Sequence, residues 1–171
     1  LRNRDFLLFV SGRTSNTIAV QALTVAVGWH VYQVTKDPVD LGLVGLAQFA
    51  PALALFLVSG LASDRFDRKR IQFACNLTHM VVVGLLIAIL NHDDGAVWPI
   101  LAVLVLHGAA RSFFHTASQA ILPNLVPRPQ FPNAVAYSSS AGKAAQLIGP
   151  ALGGLLIAWT GDGVYWVILA I

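Results

Sequence analysis

Glutamate is missing from the 171 residues, cysteine occurs once, and charge of either sign is scarce. The 11 basic and 8 acidic side chains make up 11% of the chain, where soluble domains carry roughly 25%. Each shortage excludes something. Cys75 has no partner for a disulfide and sits in an apolar run, so it reads as a small core residue and not as a redox or metal group. The aspartates, at positions 5, 37, 40, 64, 67, 93, 94 and 162, all fall in loops or at the ends of apolar runs. No apolar run therefore carries the midplane carboxylate usual in proton-coupled transport, and that task would fall to histidine or to residues outside this sequence. Clustered carboxylates, a serine–histidine pairing and metal-ligand spacing are all wanting, which argues against an enzyme and leaves no call for a cofactor or a metal. The net charge of +3 is no nucleic-acid patch, because the basic residues do not cluster with aromatics.

What the chain has in quantity is apolar length: 56% of it is hydrophobic. Residues 14–35, 41–63 and 71–92 contain no charge, and each run is long enough to span a bilayer as a helix. Residues 95–122 are interrupted only by Arg111 and residues 129–161 only by Lys143, and a final apolar run from Gly163 reaches Ile171. These patterns predict an all-α membrane protein with helices at about 6–34, 39–63, 71–91, 96–121 and 133–159, and the opening of a sixth at 163–171. The first residue is Leu1 and the last lies within an apolar run, so the expectation is a piece of a longer chain.

Charge sorts these loops by side. Arg2, Arg4, Arg65, Arg68, Lys69, Arg70 and Arg128 fall on one side and Lys36 alone on the other. The positive-inside rule then puts the amino terminus and the 64–70 loop in the cytoplasm of a plasma (inner) membrane protein. The opposite loops, "TKDPVD", "NHDDGA" and "TGDG", are short and rich in turn formers, which forces neighbouring spans to be antiparallel. Trp29, Tyr32, Trp98, Trp159 and Trp166 fall near that outer side, as an interfacial belt would.

Six of the charged residues crowd into the seven positions from Asp64 to Arg70. As a simple device this is a basic anchor that fixes orientation against lipid phosphate. Its spacing is more particular: Gly60, Asp64-Arg65, then Arg68-Lys69-Arg70. That pattern resembles the loop between helices 2 and 3 of the major facilitator superfamily, G-x-x-x-D-[RK]-x-G-[RK]-[RK]-[RK], with Asp67 standing where the family usually has glycine. Gly149-Pro150-Ala151-Leu152-Gly153-Gly154 in the fifth span is similar to the G-P-x-x-G-G motif of the superfamily's exporters. Here Gly149 and Gly153 form one small-residue stripe, and Pro150 removes a backbone donor and bends the helix. Leu122-Pro123-Asn124-Leu125-Val126 and Asn133-Ala134 resemble the branch of enterobactin exporters and macrolide efflux proteins.

The resemblance implies the amino-terminal half of such a transporter: two inverted three-helix repeats over residues 1–171, cut in the sixth helix, with the second half as a missing partner. It further implies export of a small organic solute, drug-like or siderophore-like, by alternating access in antiport with an ion, most naturally the proton. Asp64 and Arg68 would hold the start of a helix in the other half, closing a cytoplasmic gate. The first and fourth spans would face the central cavity.

Polar side chains within spans need an interior or water-facing place. Arg111 and Lys143 are the two cations well inside the runs. His107 and His115 stand four residues either side of Arg111 and would make a basic stripe on one helical face. Asn16, Gln21, Thr24 and His30 are weaker candidates on the first span, and Arg13 is close enough to its end to snorkel. Nutrient uptake, or a non-transporting sensor or scaffold, would use the same composition. Only the Gly149 to Gly154 motif leans toward export.

Overall fold

The computed structural model describes residues 4–91 and 97–170. Arg2, Asp93, Asp94 and Ile171, which figure in the loop and span expectations, lie outside the described residues. Every regular element among the described residues is helical. The helices are α1 (Arg4–Thr35), α2 (Pro38–Ala54), α3 (Phe56–Arg65), α4 (Arg68–Leu90), α5 (Val97–Ile121), α6 (Phe131–Thr160) and α7 (Val164–Ala170), with short 3-10 turns at Leu122–Asn124, Arg128–Gln130 and Gly161–Gly163. The expected spans correspond to these helices within a few residues, with one exception: the second span, expected as one helix over 39–63, is α2 and α3 joined at Leu55 and bent by 48°.

Length and apolarity let α4, α5 and the segment Arg128–Thr160 cross a membrane, and the bent pair α2–α3 makes a fourth crossing when taken as one. At 32 residues, or about 48 Å, α1 is long enough as well, but it is more polar than these. Its hydroxyls are turned inward on the helix itself. Thr14, Thr17, Thr24 and Thr35 donate to the carbonyls of Val10, Arg13, Val20 and Val31 at 2.7–3.0 Å, which satisfies their donors without a neighbour or water.

The ends of the helices follow local chemistry. Asp37 caps α2 by accepting from the Val39 N–H at 2.8 Å, with Pro38 in the first turn, where its missing N–H is not needed. Before it, Lys36 adopts φ 54 and its N–H donates to the Tyr32 carbonyl at 2.9 Å, closing α1 in a left-handed turn. The Lys36 ammonium lies 5.6 Å over the Tyr32 ring and bonds the Gln33 side chain. Gly161, at φ 55 and ψ −127, ends α6 with a positive φ that favours glycine. By contrast α6 runs unbroken through Pro150, and the break in the chain comes at Leu55, four residues after Pro51.

The chain divides into two compact units. One joins Leu1–Ala26 to Gln119–Ile171, so it contains the first part of α1, α6 and α7. Its core is Phe6, Val10, Leu122, Val126 and Ala134, with Phe9, Leu125 and Ala141 packed against it. The other unit is Val27–Ser118, comprising the end of α1, α2, α3, α4 and most of α5. Its buried positions include Val27, Val31, Val82, Leu86 and Leu104, each 2% exposed or less.

Candidate functional site

The charged loop is built by two helix ends meeting with two residues between them. α3 stops at Arg65, Phe66 is extended (φ −109, ψ 159), and α4 begins at Arg68. Asp67 is the cap of α4: its carboxylate accepts from the Lys69 N–H at 3.0 Å. The same carboxylate pairs with Arg70 at 3.9 Å, an exposed contact worth little by itself. This accounts for aspartate at the family's glycine position. Its backbone, φ −61 and ψ 116, is open to any residue, so glycine has no conformational advantage there, and aspartate supplies a capping oxygen.

Arg68 turns back to the end of α3, where its Nε donates to the Ser63 carbonyl at 3.5 Å. Asp64, Arg65, Lys69 and Arg70 are exposed. Among the described residues Asp64 makes no ion pair. Gly60, one turn before it, is open: a Cβ added there would meet nothing within 4 Å.

Above the loop, α3 is tied to α5 by hydroxyls. Ser59, fully buried, bonds Thr116 at 3.0 Å and accepts from Ser112 at 3.3 Å. Gln72 of α4 donates to Ser118 of α5 at 3.5 Å. Higher on α5, Gly108 receives the bent span: a Cβ there would lie 2.2 Å from the Gln48 carbonyl oxygen and 2.9 Å from Pro51 Cγ. Sequence reading missed Ser59, Ser112 and Gly108. A small residue four places before Ser112 and eight before Thr116 on the helix face was the available signal, but nothing local names Gln48 as its partner.

The expected basic stripe on α5 is not one surface. Arg111 and His115 are exposed, whereas His107 is 1% exposed. A four-residue step turns about 400°, so 107, 111 and 115 drift by about 40° each time and pass from interior to surface. His107 packs with its ring centroid 5.0 Å from that of His79 on α4, and His79 in turn lies 6.1 Å from Phe114.

In the unit that contains α6, the glycine motif is a contact with α1. A Cβ at Gly149 would stand 2.6 Å from Gln21 Cβ, and one at Gly153 would stand 2.9 Å from Ala22 Cα. Gly154 meets nothing within 4 Å. Gln21, expected to line a cavity, is thus part of the α1–α6 contact. Arg13 is half-buried and donates to Ser138 at 3.1 Å, a partner within the fold that replaces the expected snorkel. Asn16 is half-buried and Lys143 exposed. Trp29, Tyr32, Trp98, Trp159 and Trp166 are all exposed.

The family model for the Major Facilitator Superfamily matches residues 9–171, and the chain belongs to that superfamily of multi-pass membrane transporters. It is similar to the uncharacterized MFS-type transporter YfiS of Bacillus subtilis, with 32% identity over 127 residues, which cover 74% of this chain and 29% of that protein. Macrolide efflux protein A of Streptococcus pyogenes is 25% identical over 151 residues, 88% of this chain and 37% of that protein. The staphyloferrin A transporter of Staphylococcus aureus is 26% identical over 137 residues, 78% of this chain and 34% of that protein. The chain thus spans about a third of the length of these curated relatives.

Proposed function

We propose that this chain is the amino-terminal half of an exporter that moves a small organic solute out of the cell by alternating access, in exchange for protons. It sits in the plasma membrane with its amino terminus and the 64–70 loop in the cytoplasm, a placement that the excess of basic residues on that side supports. The proposed solute class is drug-like or siderophore-like, in keeping with the names of the relatives. The protein performs no covalent chemistry.

The observation that carries the reading is the division of labour between two aspartates six charges deep in one loop. Asp67 is occupied as a helix cap, while Asp64 is exposed at the end of α3 without an ion pair among the described residues. A carboxylate so placed suits capture of a helix amino terminus in the other half, where such contacts contribute roughly 0.3–1 kcal/mol. That is enough to bias two nearly balanced states. Arg68 supports it by tying α4 to the end of α3. Arg111 and His115, exposed on α5, are the proposed solute-facing groups, with Lys143 and Asn16 in lesser roles.

In the full-length protein, Asp64→Asn is expected to insert normally and lose transport; transport at the wild-type rate removes the gate assignment. Direction is read from solute-loaded vesicles under an imposed pH gradient. Accumulation of solute by intact cells would replace export with uptake.

A further inference from the structure

We infer that α3 is a releasable lever: it pivots at Leu55 and rests on α5 through a hydroxyl set built to open, so that Ser59, Ser112 and Thr116 position the loop aspartate Asp64. The buried residues of α3 are Ser59 and Ser63, at 0% and 3% exposure, while Phe56, Leu57, Val58 and Leu61 are 49–77% exposed. Apolar side chains facing lipid give no drive toward a neighbouring helix, so the polar ties decide where α3 rests. α2, across the 48° bend, is seated by a tight backbone contact instead, its Gln48 carbonyl and Pro51 ring closing on Gly108. α4 holds its place with buried side chains that include Val82, Val83 and Leu86.

The hydroxyl hydrogens of the α3–α5 tie have more acceptors than they can use. Ser112 donates to Ser59 at 3.3 Å, and Ser59 and Thr116 stand 3.0 Å apart. Each of those two also reaches a carbonyl of its own helix, Phe56 at 2.8 Å for Ser59 and Ser112 at 3.0 Å for Thr116. Parting the helices therefore returns both hydroxyls to acceptors already in place, and a helical serine such as Ser112 can bond back to the carbonyl four residues earlier. No buried donor is stranded by opening. Ser63 supplies the opposing force. Its Oγ is buried without a hydrogen-bond partner among the described residues, which penalises the seated position. It stands next to Asp64 at the loop end of α3, and release exposes it to water there. A tie of modest net strength and a stranded hydroxyl are comparable in size and opposite in sign, as an element with two positions requires.

That release carries Asp64 to or from its partner in the other half rests on the export reading; the lever itself is tested apart from transport. Full-length protein in lipid nanodiscs is followed by hydrogen exchange with mass spectrometry over residues 56–65. S59A is expected to speed exchange there about fivefold and S63A to slow it about fivefold, with peptides of α4 and α5 within about twofold of wild type. A helix that only packs in one place would lose protection in both variants or in neither. Shifts of the same sign, or no shift, overturn the lever. The gate is then tested with S59C/S112C in a C75S background, where the new thiols replace hydroxyls 3.3 Å apart and can close a disulfide. With ethidium as the probe, efflux from vesicles under a pH gradient is expected to fall on the order of tenfold on oxidation and to return on reduction. Efflux unaffected by the closed disulfide overturns the link between α3 and the gate. Ethidium left unmoved by wild-type vesicles counts against export, while exchange over residues 56–65 still decides the lever.

Discussion

Two sets of glycines in this chain do opposite things. Gly108, Gly149 and Gly153 are pressed against a neighbouring helix so closely that a single methyl would lie 2.2–2.9 Å from its nearest atom. Gly60 and Gly154, each within a family motif, face open space with nothing inside 4 Å. The first set is explained by packing within the described fold. The second is not, and glycine in a helix costs about 0.5–1 kcal/mol relative to alanine. Gly12, Gly42, Gly45, Gly84 and Gly142 are open in the same way, so openness by itself assigns no partner. For Gly60, one turn before Asp64, the proposed gate would supply one.

The contrast can be broken most forcefully at Gly108. Gly108→Ala would drive a methyl into the Gln48 carbonyl, so thermal unfolding of the full-length protein should show a loss at the upper end of the about 1–3 kcal/mol typical of overpacking. An unchanged melting temperature would show that α2 can withdraw freely. Gly149→Ala and Gly153→Ala should follow at about 1–2 kcal/mol each, with transport falling alongside stability, because α1 must move away from α6. Asp67→Ala should cost about 1 kcal/mol through loss of the cap, and Asp67→Gly only a few tenths. A large effect of Asp67→Gly in the same melts would contradict the capping account. Gly60→Ala is the sharpest case, since it should leave stability unchanged or raise it by up to about 1 kcal/mol while transport drops. Full transport by Gly60→Ala would place Gly60 among the incidental glycines.

The ends of the helices were legible in the sequence because local chemistry sets them. Asp37-Pro38 starts α2, the charged run from Asp64 separates α3 from α4, and Gly161 closes α6. The break at Leu55 was not legible: neither proline nor glycine occupies that position, and Pro51, four residues earlier, carries no mark distinguishing it from Pro150, through which α6 continues unbroken. The site divided in the same way. The loop charges announced themselves by density, and the α6 glycines by their four-residue step. The environment of His107 did not, because whether a histidine faces a cavity or a neighbouring ring depends on which helix lies beside it. His79 is 28 positions away in sequence, and no local pattern joins the two.

The turn at Lys36 bears on how the molecule is made as well as on how it stands. Only Lys36 and Asp37 separate α1 from α2, and both are engaged there, one in a left-handed closure and the other as a cap. The more polar first helix thus has no slack with which to settle alone. Tethered this closely, α1 and α2 are expected to enter a bilayer together as one hairpin, with the α1 threonine hydroxyls bonded to that helix's own carbonyls.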